Sequence, residues 1–168
     1  MMMTQSLCLV LLWSASTVGL LAQNSATTAF DKLKALSGDW EGTVAWTGQE
    51  PSKISARYHM TGSESAVVED LSNGMTSVYH FDGGDLRMTH FCAAQNQPRL
   101  KATAFGPDNS SIKFSFVDIT NLRSPGAGHV DGFEITFLAP DHIVLQFHFV
   151  ADGKEKDEML DLTRRRVS

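Results

Sequence analysis

From Trp40 to Arg165 the chain reads as a succession of short runs in which apolar and polar residues alternate, with a turn signal about every ten residues. A period of two is the spacing of a strand with one face buried. It predicts strands near 39–47, 53–62, 65–72, 75–82, 85–93, 99–106, 111–118, 129–138, 142–150 and 155–165. The turns between them are explicit: Thr61-Gly62-Ser63, Asp82-Gly83-Gly84-Asp85, Gly106-Pro107-Asp108-Asn109, Ala139-Pro140-Asp141 and Asp152-Gly153. Ten consecutive antiparallel strands can form a sandwich or a closed barrel. Connections this short favour a meander, and closure removes the exposed edges such a meander would otherwise present. The expected fold is therefore all-β, a ten-stranded antiparallel up-and-down barrel.

Ahead of the strands, Phe30, Leu33 and Leu36 recur at three-residue spacing and Gly38 follows, which predicts one short amphipathic helix over Thr28–Ser37. Further upstream, residues 1–30 carry no charged side chain, and Leu7 to Ala22 is an apolar run broken only by small polar residues. That run is short for a bilayer span, which takes about 20 residues. It fits the h-region of a secretory signal with cleavage after Ala22, the rival reading being an uncleaved anchor. Residues 1–22 are thus expected to be a signal peptide and 23–168 one barrel domain, exported to a periplasm or secreted, with no stable membrane insertion once the signal is removed. Of the two cysteines, Cys8 leaves with the signal and Cys92 remains alone. Such a chain has no internal disulfide and must stand on its core, which 168 residues can supply.

A net charge of −5 argues against a nucleic-acid surface, which would show a basic face. The one basic cluster, Arg164-Arg165-Arg166, reads as a solvated chain end. The sequon at Asn109 lies in a turn and matters only in a glycosylating secretory host.

Registers assign faces. A turn at Gly83-Gly84 pairs Phe81 with Leu86, Tyr79 with Met88, Ser77 with His90 and Met75 with Cys92, and this face, the more apolar one, should point inward. A turn at Asp152-Gly153 sets Ile143, Leu145 and Phe147 beside Leu162, Leu160 and Glu158. Ile112, Phe114, Phe116, Phe133, Ile135 and Phe137 complete a large aromatic interior. Tyr79, Ser77 and His90 gather on the inner face toward the segment "CAAQNQPR", and convergent polar groups in an apolar cavity are what orient a ligand. The segment Thr89–Leu100 is expected to line the barrel mouth, with His90 pointing in, Asn96 and Gln97 capping the opening and Arg99 starting the return strand. Candidate ligand-binding residues are Tyr79, Met88, His90, Cys92, Asn96 and Arg99. His90 with Cys92 falls short of a zinc site, which needs three or four ligands. Ser77 opposite His90 lacks both a strained elbow and an oriented third carboxylate, which argues against hydrolysis. His80, His129 and His142 read as exposed or at the rim.

The segment "LSGDWEGT", following a short helix and opening the first strand, resembles the Gly-x-Trp-x-Gly start of calycin-type barrels: lipocalins, fatty-acid-binding proteins and nitrobindin-like haem barrels. Gly38, Trp40 and Gly42 match it. The block "SVYHFDGGDLRMTHFCAAQNQPRL" looks like a stretch that recurs in exported bacterial lipocalin-like proteins. The resemblance spans Phe30 to Arg164 and implies that Trp40 plugs the closed end beneath the helix. It also implies how this chain departs from its relatives. Nitrobindin-like proteins hold haem through a histidine on the last strand, whereas Lys154 to Ser168 contains none, so tight haem binding is not expected, His90 and His148 being the residues that could substitute. No tyrosine follows Arg164 as it would in the carboxylate clamp of fatty-acid-binding proteins. The reading is a monomeric exported carrier for a small, largely apolar molecule, with no cofactor and no catalytic residue assigned. The rivals are an enzyme using His90 and Tyr79 as acid and base, and a filled barrel serving only as a scaffold.

Overall fold

The computed structural model describes residues 15–166, and the apolar run before residue 15 lies outside the described residues. The chain forms a helix, α1 (Ala15–Lys34), and then ten strands. These are β1 (Gly38–Trp46), β2 (Ser52–Thr61), β3 (Ala66–Leu71), β4 (Thr76–Asp82) and β5 (Asp85–Phe91). After them come β6 (Gln97–Phe105), β7 (Ser111–Thr120), β8 (His129–Ala139), β9 (His142–Ala151) and β10 (Lys154–Arg164). Each strand pairs antiparallel with its sequence neighbours, and β1 pairs with β10 to close the barrel. The meander and the barrel anticipated from the alternation are both present.

The helix corrects the expectation of Thr28–Ser37. It runs from Ala15 to Lys34, so it starts earlier and stops sooner. Nothing between Ala15 and Phe30 breaks a helix, since the run has no proline and its one glycine, Gly19, costs only about 1 kcal/mol. The stop comes where Leu36 and Ser37 bond back to Leu33 and Lys34 in tighter turns, ahead of Gly38 at a φ of +130°. No helix among the described residues is long and apolar enough to cross a membrane.

Ala26, Ala29, Phe30 and Leu33 of α1 are buried against one end of the barrel, with Phe30 edge-on to Phe81 at 5.1 Å. Lys32 adds hydrogen bonds to the carbonyls of Asp108 and Asn109, in the turn between β6 and β7. The Asn109 side chain is itself buried there, so the sequon is no site for a glycan in the folded protein. Trp40 is buried beneath the helix end, donating from its indole nitrogen to the Leu36 carbonyl at 2.8 Å. Arg164, from the last strand, stacks over the Trp40 ring at 4.5 Å. The same guanidinium donates to the carbonyls of Ala35 and Ser37 at 2.7 Å each. Carbonyls at and just past a helix end have no helical partner, and Arg164 supplies one to Ala35 and Ser37. This end is closed, with Trp40 and Arg164 bonding the carbonyls that follow the helix.

Gly42 shows why the first strand needs a glycine between Trp40 and the closing seam. A Cβ there would lie 1.8 Å from the Asp161 carbonyl oxygen on β10, so no other residue fits this approach.

The register of the β4–β5 hairpin is as expected, with Phe81↔Leu86, Tyr79↔Met88 and Ser77↔His90. The β9–β10 hairpin agrees as well, with Ile143↔Leu162, Leu145↔Leu160 and Phe147↔Glu158. In both, the predicted inner face is the buried one. One irregularity concerns β7 and β8. They pair only between Ser111↔Thr136 and Ser115↔Gly132. Past that point β7 stays with β6 as far as Thr120↔Gln97, and β8 stays with β9 as far as His129↔Val150. The wall therefore parts between β7 and β8 at the end away from the helix.

Candidate functional site

The middle of the barrel is filled by rings. Tyr79, Phe114, Phe133 and Phe147 lie in tilted contacts with centroids 4.7–6.2 Å apart. The His90 ring joins the cluster 5.1 Å from Phe147. Beyond this plug, toward the end away from the helix, inner-face side chains lose their cover: Val44, Trp46, Cys92 and Phe149 are only half buried. This end is the mouth.

Above the ring cluster a polar row crosses four strands. Register places Tyr58 beside Glu69, Glu69 beside Ser77, and Ser77 beside His90, all on the inner face. The Glu69 carboxyl is completely buried. One of its oxygens, Oε2, accepts from the Tyr58 hydroxyl at 2.7 Å and from the Tyr79 hydroxyl at 2.9 Å. The other, Oε1, accepts from Ser77 Oγ at 3.4 Å, and Ser77 Oγ also lies 3.0 Å from His90 Nδ1. Burial raises the Glu69 pKa above its ordinary value, outweighing the three donors. The two tyrosines are pushed well up, by burial first and the Glu69 charge second.

Ser77 has one hydroxyl hydrogen and lies nearer His90 Nδ1, at 3.0 Å, than Glu69 Oε1, at 3.4 Å, so the contact with the imidazole is the stronger of the two. Which of the two atoms donates in it follows the tautomer of the ring. Burial holds the imidazole neutral by taking its pKa down to about 4. Nor is this a hydrolase triad, because the carboxylate bonds the serine rather than the histidine.

Two groups at the mouth lack a full set of partners. The Asn96 side chain is 2% exposed and donates from Nδ2 to the Gly128 carbonyl at 2.8 Å. A carbonyl only accepts, so the amide nitrogen must face it, and the amide oxygen is left buried with no partner. On β10, Glu158 sits between Trp46 and Phe147 in register and is 8% exposed. Among the described residues it has no ion pair or hydrogen-bonded side-chain partner, and burial raises its pKa. The nearby Cys92 thiol is raised too, by burial first, with the Glu158 charge a lesser cause.

Of the sequence candidates, Tyr79, Met88, His90, Cys92 and Asn96 share the inner side of the barrel, with Tyr79, Met88, His90 and Asn96 buried. Arg99 is not brought to them. It lies on the outer wall, where it makes a two-pronged pair with Asp118 at 2.5 and 2.6 Å. Gln97 ties the rim together, accepting from Thr120 and Asn121. Tyr58, Glu69 and Glu158 were missing from the candidates. The signal was available in their parity: Glu69 shares a face with Val67 and Leu71, and Tyr58 with Ile54 and Ala56. On the outer wall, where β7 and β8 part, a groove of about 430 Å³ has Phe114 and Phe133 beneath it and Lys113, Glu134 and His148 around it. His148 there bonds Asp157 at 2.9 Å. Among the described residues no three histidine, cysteine or acidic side chains are grouped to hold a metal.

No protein-family model matches the sequence, and neither does any curated protein. Among solved structures, the chain is similar to a protein of unknown function from the DUF3598 family of Nostoc punctiforme, with a TM-score of 0.53 at 9% identity. That match covers 79% of this chain and 49% of the other, so the chain spans about half the length of that protein. A second similar structure is the S-type phycobiliprotein lyase of Guillardia theta, with a TM-score of 0.49 at 8% identity, covering 89% of this chain and 98% of the lyase. At such identities the likeness is one of fold alone, and the second score is too low to argue from. What the likeness and the topology share is the fold, a closed antiparallel β-barrel.

Proposed function

We propose that the protein is an exported, monomeric carrier, akin to bacterial lipocalin-like proteins, that holds a small, largely apolar molecule in the barrel mouth. The observation that carries this reading is the Asn96 amide oxygen, buried at the barrel mouth with no hydrogen-bond partner. Buried polar groups are nearly always hydrogen-bonded, and a ligand is the partner this one lacks. The half-buried Trp46, Phe149 and Cys92 around it would cover an apolar body. Export rests on the apolar run Leu7 to Ala22.

Native mass spectrometry of the purified full chain tests the reading directly, with a co-purified small molecule as the expected result. His90→Phe should then weaken binding of that molecule by about 1–3 kcal/mol, the usual cost of an unsatisfied partner, and leave the circular dichroism spectrum unchanged. Equal affinity in the two proteins would remove His90 from the site.

A further inference from the structure

Residues 121–128 join β7 to β8 across the gap where those strands part, and bonds to two other turns hold them down. In the β5–β6 turn, the Asn96 amide donates to the Gly128 carbonyl at 2.8 Å, and Arg123 of the segment donates to the Gln95 side chain. From the β9–β10 turn, the Asp152 nitrogen donates to the Gly126 carbonyl at 3.0 Å. The segment also lies on the rings of the mouth. A Cβ on Gly128 would come within 2.5 Å of the Phe149 ring, and Phe149 meets Trp46 edge-on at 5.7 Å.

We infer that this segment is a strap that lifts to admit the carried molecule, with the bond from Asn96 to Gly128 as its latch. The inference rests on the carrier reading and adds how the mouth is reached. No side chain among residues 121–128 is buried, and Asn121, Arg123, Ser124 and Pro125 are exposed. Segments with so little buried surface open at a small fraction of the free energy that unfolds the whole chain. The strands on either side allow it too, since β7 and β8 share no ladder pairs beyond Ser115↔Gly132. The latch itself is built to release. Asn96 is buried yet only half satisfied while the strap is down, its Oδ1 having no partner. That unmet acceptor raises the energy of the closed state, and lifting the strap relieves it by letting in water or a ligand.

A disulfide across the strap tests this. A Cβ on Gly126 would lie 3.8 Å from the Asp152 Cα, within reach of a bridge. The protein to make is therefore Gly126→Cys with Asp152→Cys and Cys92→Ser, the last removing a competing thiol. Binding of N-phenyl-1-naphthylamine, a neutral apolar fluorophore, is followed by stopped flow in the oxidised and reduced forms of this one protein. The oxidised form should bind the probe at least about tenfold more slowly, with its circular dichroism unchanged. Equal rates would overturn the inference and leave the carrier reading standing. No binding by either form or by the wild-type chain would remove both. Hydrogen exchange on the wild-type chain adds a measurement that needs no probe. The Asp152 amide, bonded to Gly126 rather than within the hairpin ladder, should exchange about tenfold or more faster than the amides paired between β9 and β10, and faster still in Asn96→Ala. Exchange of Asp152 at the rate of that ladder, unmoved by Asn96→Ala, would also overturn the strap.

Discussion

The two ends of this barrel use similar materials for opposite purposes. At the helix end, an indole and a guanidinium bond the carbonyls just past the helix: Trp40 to Leu36, Arg164 to Ala35 and Ser37. At the mouth the buried Asn96 amide keeps its oxygen without a partner, and the buried Glu158 carboxyl has no counter-ion. Burial alone therefore does not mark a site. An unpaired atom on the inner face, as the Asn96 amide oxygen is, marks one better, because an unpaired buried group is costly.

The sharpest way to break this contrast is at the closed end. Trp40→Ala removes a buried plug and should destabilise the fold by about 3–5 kcal/mol, measured by urea denaturation. An unchanged midpoint would show that the helix end is not what holds the barrel together.

A smaller effect is expected from pH and reports on the mouth. The His90 pKa falls from 6.5 to about 4 on burial, so the unfolded chain takes up that proton before the folded one does. Its neutral burial is therefore harmless above about pH 6.5, and stability is lost as the pH drops toward 4, by up to about 3 kcal/mol for this group. The difference in unfolding free energy between wild type and His90→Phe, followed from pH 8 to 4, should change in this window. A pH-independent difference would mean that His90 is charged or exposed.

The smallest expected effect sharpens the contrast between inside and outside. Arg99→Ala cuts an exposed ion pair and should change stability by less than about 1 kcal/mol. It should leave ligand affinity where it was, and any marked loss of affinity would bring the outer wall into the site.

The sequence made some of this legible and hid the rest for physical reasons. Alternation and turn residues located all ten strands to within two residues at each end, because each turn carries its own conformational signature. The same alternation set Ser77 opposite His90 and Phe147 opposite Glu158. The β4–β5 hairpin could be read because its turn fixes its register. No equally tight turn ties Glu69 to Ser77, since Ser72, Asn73 and Gly74 intervene, and an acidic residue in "AVVEDL" reads as solvated unless its parity with Val67 and Leu71 is followed. Arg99 was placed by its nearness to the loop rather than by parity, which sets Pro98 and Leu100 inward and Arg99 outward. The free valences could not be read at all, because an unpaired atom is a property of neighbours from distant strands.

The closing seam beside Gly42 has a consequence for how the chain reaches this shape. Glu41 and Thr163, which meet across it, are 122 residues apart. Every other pair of adjacent strands can form as a local hairpin, whereas this one must bring the two ends of the meander together, at an entropic cost on the order of 4 kcal/mol beyond that of the shortest loop. Closure therefore belongs late in assembly, and until it happens β1 and β10 each present a whole strand edge that can pair with another chain. A side chain in place of Gly42 would act at that step above all: it would leave nine hairpin pairings intact and hold open the tenth, making a ribbon that aggregates where the native chain makes a barrel.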